Sequence, residues 1–252
     1  MGFAVDRLSK RAALENAKRI GFRPETIIDV GFAYGTQGLF EVFEGTRNIL
    51  IEPVAEMEPI MQKFCDEHPG STYMVAAASD APGRLKMVVR RGVTGSSFHT
   101  KFKKEDAEYR KVPLVTLDSV VADLKPPGPI LLKLDVEGHE LHALQGAVEC
   151  LKQTEMVIME IGTWAEDHVR GRASMMDLFN YMDRQGFVFY EFVEPGYRPI
   201  DGALYMFDAI FVKSDSILRQ QRKHKSPEQA ALARQAKELQ AQSAKQTTSA
   251  QT

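Results

Sequence analysis

Strand-like apolar runs recur along the chain at intervals that leave few folds open: TIIDV at 26–30, NILIE at 48–52, STYMVAAA at 71–78, ILLKLD at 130–135 and MVIMEI at 156–161. Between most of them lie helical patterns. The clearest is HELHALQGAVECLKQ, residues 139–153, whose Leu141, Leu144, Ala147, Val148 and Leu151 form one apolar stripe. Strands alternating with helices pair in parallel through right-handed crossovers, so the expected fold is an α/β doubly wound sheet with helices on both faces. The end of the pattern differs. FVFYEFVE (187–194) and ALYMFDAIFV (203–212) are joined by PGYRPIDG, which has no room for a helix, so these two strands are expected to be antiparallel. Residues 84–117 mix short strand-like pieces with a polar Gly/Ser loop and read as an insertion overhanging the sheet's carboxyl edge.

Around that centre, Val5, Leu8, Ala12, Ala13, Ala17 and Ile20 give an amphipathic helix over 5–20, and a core domain follows at 25–212. The expected domains are 1–212 and a tail, 213–252. The tail has no aromatic residue and fills with Gln, Ala, Lys and Ser; Ser226-Pro227-Glu228-Gln229 supplies a serine cap, a proline at the first helical position and a glutamine three residues on. Its last dozen residues read as disordered. Leu232, Ala236 and Leu239 make too short a stripe for a coiled coil, which leaves self-association into a homo-oligomer open.

At 252 residues with 44% hydrophobic and 26% charged side chains, the chain can bury one sizeable core. No window reaches the roughly 18 uncharged apolar residues of a membrane span, and the first twenty residues lack a signal-peptide core, so the expected location is cytoplasmic. Cys65 and Cys150 stand in no metal-like or CxxC spacing and read as buried thiols. The net charge of -2 conceals eight Lys/Arg against three acids in 213–252. The remaining body is acidic, which argues against a nucleic-acid partner.

The chemistry gathers where the strands end. IIDVGFAYGTQGLF, 27–40, passes from Asp29 into Gly31 and Gly35, where a ligand can approach bare backbone. The spacing is not G-x-G-x-x-G and the P-loop lysine is absent, so a pyrophosphate fits poorly. A purely structural turn is the competing reading. Glu52 ends the second strand at the place where α/β nucleotide sites put a carboxylate for two ribose hydroxyls, or else it caps the next helix. VAAASD leaves room for a flat ring beside Ser79 and Asp80. In ILLKLDVEGHE, Lys133, Asp135, Glu137, His139 and Glu140 crowd the end of the fourth strand. Asp135 and Glu137 are the stronger candidates, while His139 suits either a solvated helix start or catalysis. Glu160 ends the next strand and is expected in the same crevice.

In order, DVGFAYGT, LIEP, VAAASDAPG, GSSF, VTLD, KLDVEGHE, LQG and MEI resemble the FkbM-type methyltransferases over residues 25–212. That resemblance implies a Rossmann-like class I methyltransferase fold, seven mostly parallel strands with the last one antiparallel, and S-adenosyl-L-methionine as methyl donor. It implies Asp29, Gly31 and Gly35 on the amino-acid and ribose side of the donor, Glu52 on the ribose, Ser79 and Asp80 flanking adenine, and Asp135 beside the methyl group. Glu137 would reach the acceptor as first candidate for general base, with His139 second. The sequence departs from the family at Phe32-Ala33, where Ala-Asn is common, and so lacks an amide. The family implies a hydroxylated small molecule or glycan as acceptor, methylated on oxygen. Arg90, Arg91, Ser96, Ser97, His99 and Lys101 could recognise it, or belong to a solvated lid. A divalent cation held by Asp135, Glu137 and Glu160 is conceivable but not favoured, and no metal site is assigned. Two other classes stay open: a catalytically silent cofactor-fold module acting through protein partners, and a nicotinamide-dependent oxidoreductase, against which the G-x-x-x-G loop and the antiparallel ending speak.

Overall fold

The structure, a computed structural model, describes residues 8–90, 96, 98, 107–164, 172–221 and 223–236. Val5, Arg91, Ser97, His99, Lys101, Leu239 and the last dozen residues, all singled out above, lie outside the described residues. The chain divides into two compact units, Met1–Leu218 and Arg219–Thr252.

In the first unit the described residues form a seven-stranded sheet and a three-stranded one. Along the chain they are β1 (Thr26–Val30), β2 (Arg47–Ile51), β3 (Thr72–Met74), β4 (Ala77–Ala78), β5 (Gly83–Arg90), β6 (Ala107–Val115), β7 (Ile130–Leu134), β8 (Thr154–Gly162), β9 (Phe187–Tyr197) and β10 (Leu204–Lys213). The large sheet runs β3-β2-β1-β7-β8-β10-β9. Its pairs are parallel until β10, which is antiparallel to both β8 and β9. This is the Rossmann-like class I methyltransferase order with its inserted antiparallel strand. Strand order reverses beside β1, so β1 and β7 diverge from the crevice that a ligand uses in such sheets.

Strands β1, β2 and β7 are apolar on both faces because each face carries helices. On one side Ile28, Val30, Leu132 and Leu134 pack with Leu117, Val120, Leu144, Leu151 and Met182. These last come from α4 (Leu117–Leu124), α5 (Glu140–Gln145), α6 (Val148–Gln153) and α7 (Met175–Arg184). On the other, Ile27, Leu50, Leu131 and Ile158 pack with Ala13, Leu14, Leu39, Phe40 and Met61, from α1 (Lys10–Ile20), α2 (Gln37–Val42) and α3 (Glu58–Glu67). Leu218 closes the unit by joining this second cluster.

Three local expectations change. First, α1 begins only after Ser9, whose hydroxyl accepts from the Ala12 N–H, and its buried face is Ala13, Leu14 and Ala17, with Leu8 and Ile20 exposed. Second, STYMVAAA is not one strand. Thr72–Met74 pairs with β2, and Ala77–Ala78 leaves the large sheet to pair with β6. Third, the helix expected over 139–153 is two helices broken at Gly146–Ala147. A Cβ on Gly146 would stand 2.0 Å from the Ser79 carbonyl oxygen, so the bare backbone lets this corner pack on the end of β4. VTLD organises the same corner. The Thr116 hydroxyl accepts from Ser119 N–H to cap α4, and Asp118 Oδ1 accepts from the N–H groups of Glu149 and Cys150 at 2.8 and 2.9 Å, capping α6 from a distance. Cys150 is sealed here, and burial pushes its thiol up to about 12; Cys65, expected to be buried too, is only half-buried on α3.

In the second unit, residues 227–236 are helical. The Ser226 hydroxyl accepts from the Gln229 N–H at 3.1 Å and the Gln229 side chain accepts from the Ser226 N–H at 3.0 Å, a reciprocal cap in front of Pro227. No helix among the described residues is long and apolar enough to cross a membrane.

Candidate active site

Beyond the carboxyl ends of β1, β2 and β7 lies a cavity of about 670 Å³, counted to its open mouth. Its wall is Val30, Gly31, Ala33, Glu52, Pro53, Ala77, Ala78, Met87, Ser96, Phe98, Asp135, Val136 and Glu137. The wall therefore combines apolar side chains with three carboxylates, Glu52, Asp135 and Glu137.

The loop after β1 folds back over the end of β2. Gly31 N–H donates to the Ile51 carbonyl at 2.8 Å, and Ala33 N–H donates to Glu52 Oε2 at 3.0 Å. Phe32 turns inward against Phe40 and Phe64, with ring centroids 6.1 and 5.5 Å away. Ala33 stands at φ +45°, a left-handed conformation that costs a non-glycine residue about 1 kcal/mol or more. Glu52 is buried, and its other oxygen accepts from Val54 N–H at 2.9 Å. Burial pushes its carboxyl upward, opposed by the N–H donors of Val54 and Ala33.

The loop after β7 is equally constrained. Asp135 N–H donates to the Val30 carbonyl at 3.0 Å, and Glu140 Oε1 accepts from the N–H groups of Val136 and Gly138 at 3.3 and 3.0 Å. Glu137, at φ +54°, is the second left-handed non-glycine residue of the cavity wall. Backbone strain of this kind survives where surrounding bonds over-determine it, and it concentrates at functional positions. Glu140 is buried beneath the loop, and burial raises its carboxyl to about 7. The two loops touch through their backbones: a Cβ on Gly31 would lie 1.8 Å from the Asp135 carbonyl oxygen. Gly31 is thus demanded by its neighbouring loop as well as by the cavity.

Of the residues named from the sequence, Gly31, Glu52, Asp135 and Glu137 meet at this cavity. Asp29 does not line it; it is wholly buried below, with Oδ1 3.0 Å from Lys133 Nζ. Gly35 faces a separate groove between α2 and α3, lined by Phe32, Tyr34, Phe40, Phe64 and His68 with Glu41, Glu44 and Glu67 at its rim. Ser79, Asp80 and His139 form a chain of their own. Ser79 Oγ is 2.9 Å from Asp80 Oδ1 and 3.0 Å from His139 Nε2. An ionised carboxylate only accepts, so the hydroxyl proton goes to Asp80 and Nε2 of His139 must carry the hydrogen it shares with Ser79. The Ser79 bond also holds Asp80 below its ordinary range. The His139 ring lies against Phe98 of the cavity wall, 4.6 Å between centroids. Glu160 stands outside the lining, opposite Asp208 in register, and burial followed by the charges of Asp135 and Glu137 raises it to about 9. Among the described residues no group of three His, Cys, Asp or Glu side chains could hold a metal ion.

Sequence reasoning missed Pro53, Met87 and Phe98 as cavity walls, and it gave Lys133 no partner. The Lys133 pairing was within reach: Ile27 and Leu131 share one face of the sheet, and alternation puts Asp29 and Lys133 on that face too.

A model of the methyltransferase FkbM domain matches residues 27–189. The chain belongs to this family. No curated protein matches the sequence. Among solved structures, the FkbM methyltransferase of Methylobacillus flagellatus is 17% identical with a TM-score of 0.45, over 73% of this chain and 43% of that one. The magnesium protoporphyrin IX methyltransferase of Synechocystis, solved with S-adenosylmethionine, is 12% identical with a TM-score of 0.44, over 81% of this chain and 76% of that one. The N-methyltransferase NodS of Bradyrhizobium japonicum is 9% identical with a TM-score of 0.45, over 84% and 94%. This FkbM-domain chain spans less than half the length of its Methylobacillus counterpart.

Proposed function

We propose that this protein is an S-adenosylmethionine-dependent O-methyltransferase acting in the cytoplasm on a hydroxyl of a sugar, glycan or related small molecule, with residues 1–212 as the transfer domain. The observation that carries the reading is the convergence on one cavity of Gly31, Glu52, Asp135 and Glu137, together with apolar Ala77, Ala78, Met87 and Phe98. The donor fits this lining. Each oxygen of Glu52 accepts one backbone N–H, and a carboxylate has about four acceptor positions, so two remain for a ribose diol. The apolar side chains suit a flat ring, and Asp135 offers negative charge to a cation.

When bound, the donor supplies a methyl group already activated on a sulfonium, so the protein's work is alignment and proton removal. Glu52 orients the ribose, Asp135 the cationic end, and Ser79 and Asp80 stand behind the ring-binding wall. Glu137, presented by its left-handed backbone, takes the acceptor's hydroxyl proton. Buried and absent from the cavity lining, His139 supports the wall through Phe98 in preference to acting as base. Glu137→Gln is expected to lower turnover by about 10²- to 10⁴-fold, the usual worth of a general base, once an acceptor screen beginning with sugars has identified a substrate.

The deciding experiment is calorimetric titration with S-adenosylmethionine and, separately, NAD, repeated on Glu52→Ala. Binding of the methyl donor alone, lost in the variant, is the expected result. Binding of NAD alone would turn the reading into an oxidoreductase, and no binding of either would favour a silent module acting through protein partners.

A further inference from the structure

Lys133 is a charged side chain only 4% exposed, in the middle of the sheet, yet the chemistry above gives it no part. Its Nζ lies 3.0 Å from Asp29 Oδ1, 3.3 Å from the Gly31 carbonyl oxygen and 3.5 Å from Asp135 Oδ2. Two of the three ammonium donors are hydrogen-bonded, to Asp29 and to the Gly31 carbonyl, and the charge is also paired with Asp135. The three partners stand on β1, on the glycine loop and on the acidic loop. Asp29 extends the reach by accepting from Thr36 Oγ1 at 3.3 Å, at the far end of the glycine loop. The face also carries Asp208, paired with Lys10 Nζ at 2.6 Å, and Glu160 opposite it in register.

A buried ion pair is a poor device for stability alone, because an apolar pair of similar volume does as well or better. What an apolar pair cannot do is hold a carbonyl of one loop and a carboxylate of another at fixed separation. We infer that Lys133 is a positioning residue: a buried strut that ties Gly31 to Asp135 and sets the distance between the two loops of the cavity. The inference deepens the proposed function, since Asp135 matters to the donor only on that reading.

The test is the double variant Asp29→Leu/Lys133→Met, which removes both charges together and strands neither. Three quantities are read: the urea midpoint, amide hydrogen exchange at 31–36 and 135–138, and calorimetric titration with S-adenosylmethionine. A strut predicts a midpoint near that of the parent, exchange at least tenfold faster in both loops, and donor affinity about tenfold weaker, equivalent to 1.4 kcal/mol. Native exchange in both loops overturns the inference, whatever the ligand does. A parent protein that binds no donor, with loops that loosen in the variant, overturns the proposed function and leaves the strut standing. Should the double variant not fold, Asp135→Asn releases the one end of the strut that is 36% exposed. Unaltered exchange at Gly31 and at 136–138 in that variant would sink the idea.

Discussion

The two loops that frame the cavity are made of matching parts used differently. Each follows a buried parallel strand, holds one non-glycine residue left-handed, and has backbone N–H bonded to a buried glutamate, one group in the first loop and two in the second. Glu140 serves its loop locally, with one oxygen taking two N–H groups a few residues away, and lies beneath the surface. Glu52 reaches from the next strand, gives one oxygen to each of two N–H groups, and opens onto the cavity. Both carboxylates have acceptor positions to spare on this count, but only Glu52 lines the cavity where a ligand could use them. A buried carboxylate bonded to backbone is therefore no indication of function until its unused lone pairs are located.

The glycines break the symmetry most strongly. At Gly31 a methyl group would meet a backbone carbonyl at 1.8 Å, whereas at Gly138 it would meet the flexible side chain of Arg172 at 2.4 Å. Gly31→Ala should cost about 4 kcal/mol by urea denaturation, near the top of single-residue effects, and Gly138→Ala about half of that. Equal costs would mean that the loops do not abut as described.

A second contrast is electrostatic. In the unfolded chain Glu140 and Glu160 ionise near 4.5, but in the fold at about 7 and about 9. The folded state then binds more protons than the unfolded one between those limits, so stability is full below pH 4.5 and falls as pH rises, through about 7 for Glu140 and about 9 for Glu160. Glu140→Gln should make the slope shallower up to about pH 7, and Glu160→Gln should do so all the way to about pH 9. In unfolding free energies measured at half-unit pH steps, a wild-type curve that rises across this range would contradict both assignments.

The smallest effect sharpens the comparison of the strained residues. Asparagine tolerates the left-handed region, so Ala33→Asn should stabilise by about 0.5 kcal/mol and put back the amide common in the family. Glu137→Asn should relieve similar strain while abolishing transfer. A stabilised but inactive Glu137→Asn beside an active Ala33→Asn would show that only the second loop keeps its strain for chemistry.

Most of the large sheet was readable from sequence because strands buried on both faces spell themselves as apolar runs, and the hairpin after Phe187 showed itself by a connection too short for a helix. Where the reading failed, side-chain pattern carried no information. Ala76, Ala77 and Ala78 are alike small and buried, so their pattern does not say which sheet they join, and apolar spacing continues through Gly146 although the helix does not. At the site, Glu52, Asp135 and Glu137 were legible because carboxylates at strand ends have few structural excuses. The use of Asp29 by Lys133 depends on β1 and β7 being neighbours, which belongs to topology rather than to either segment. The walls Met87 and Phe98 come from the insertion, whose placement no periodicity encodes.

The unequal burial of the two thiols has a practical side. Cys150 is sealed behind α6, with its proton held to about pH 12, while Cys65 sits half-buried on α3. A maleimide should therefore attach once, at Cys65 on α3 and outside the cavity lining. The natural sequence thus comes with its own single anchorage for a fluorescent or spin probe.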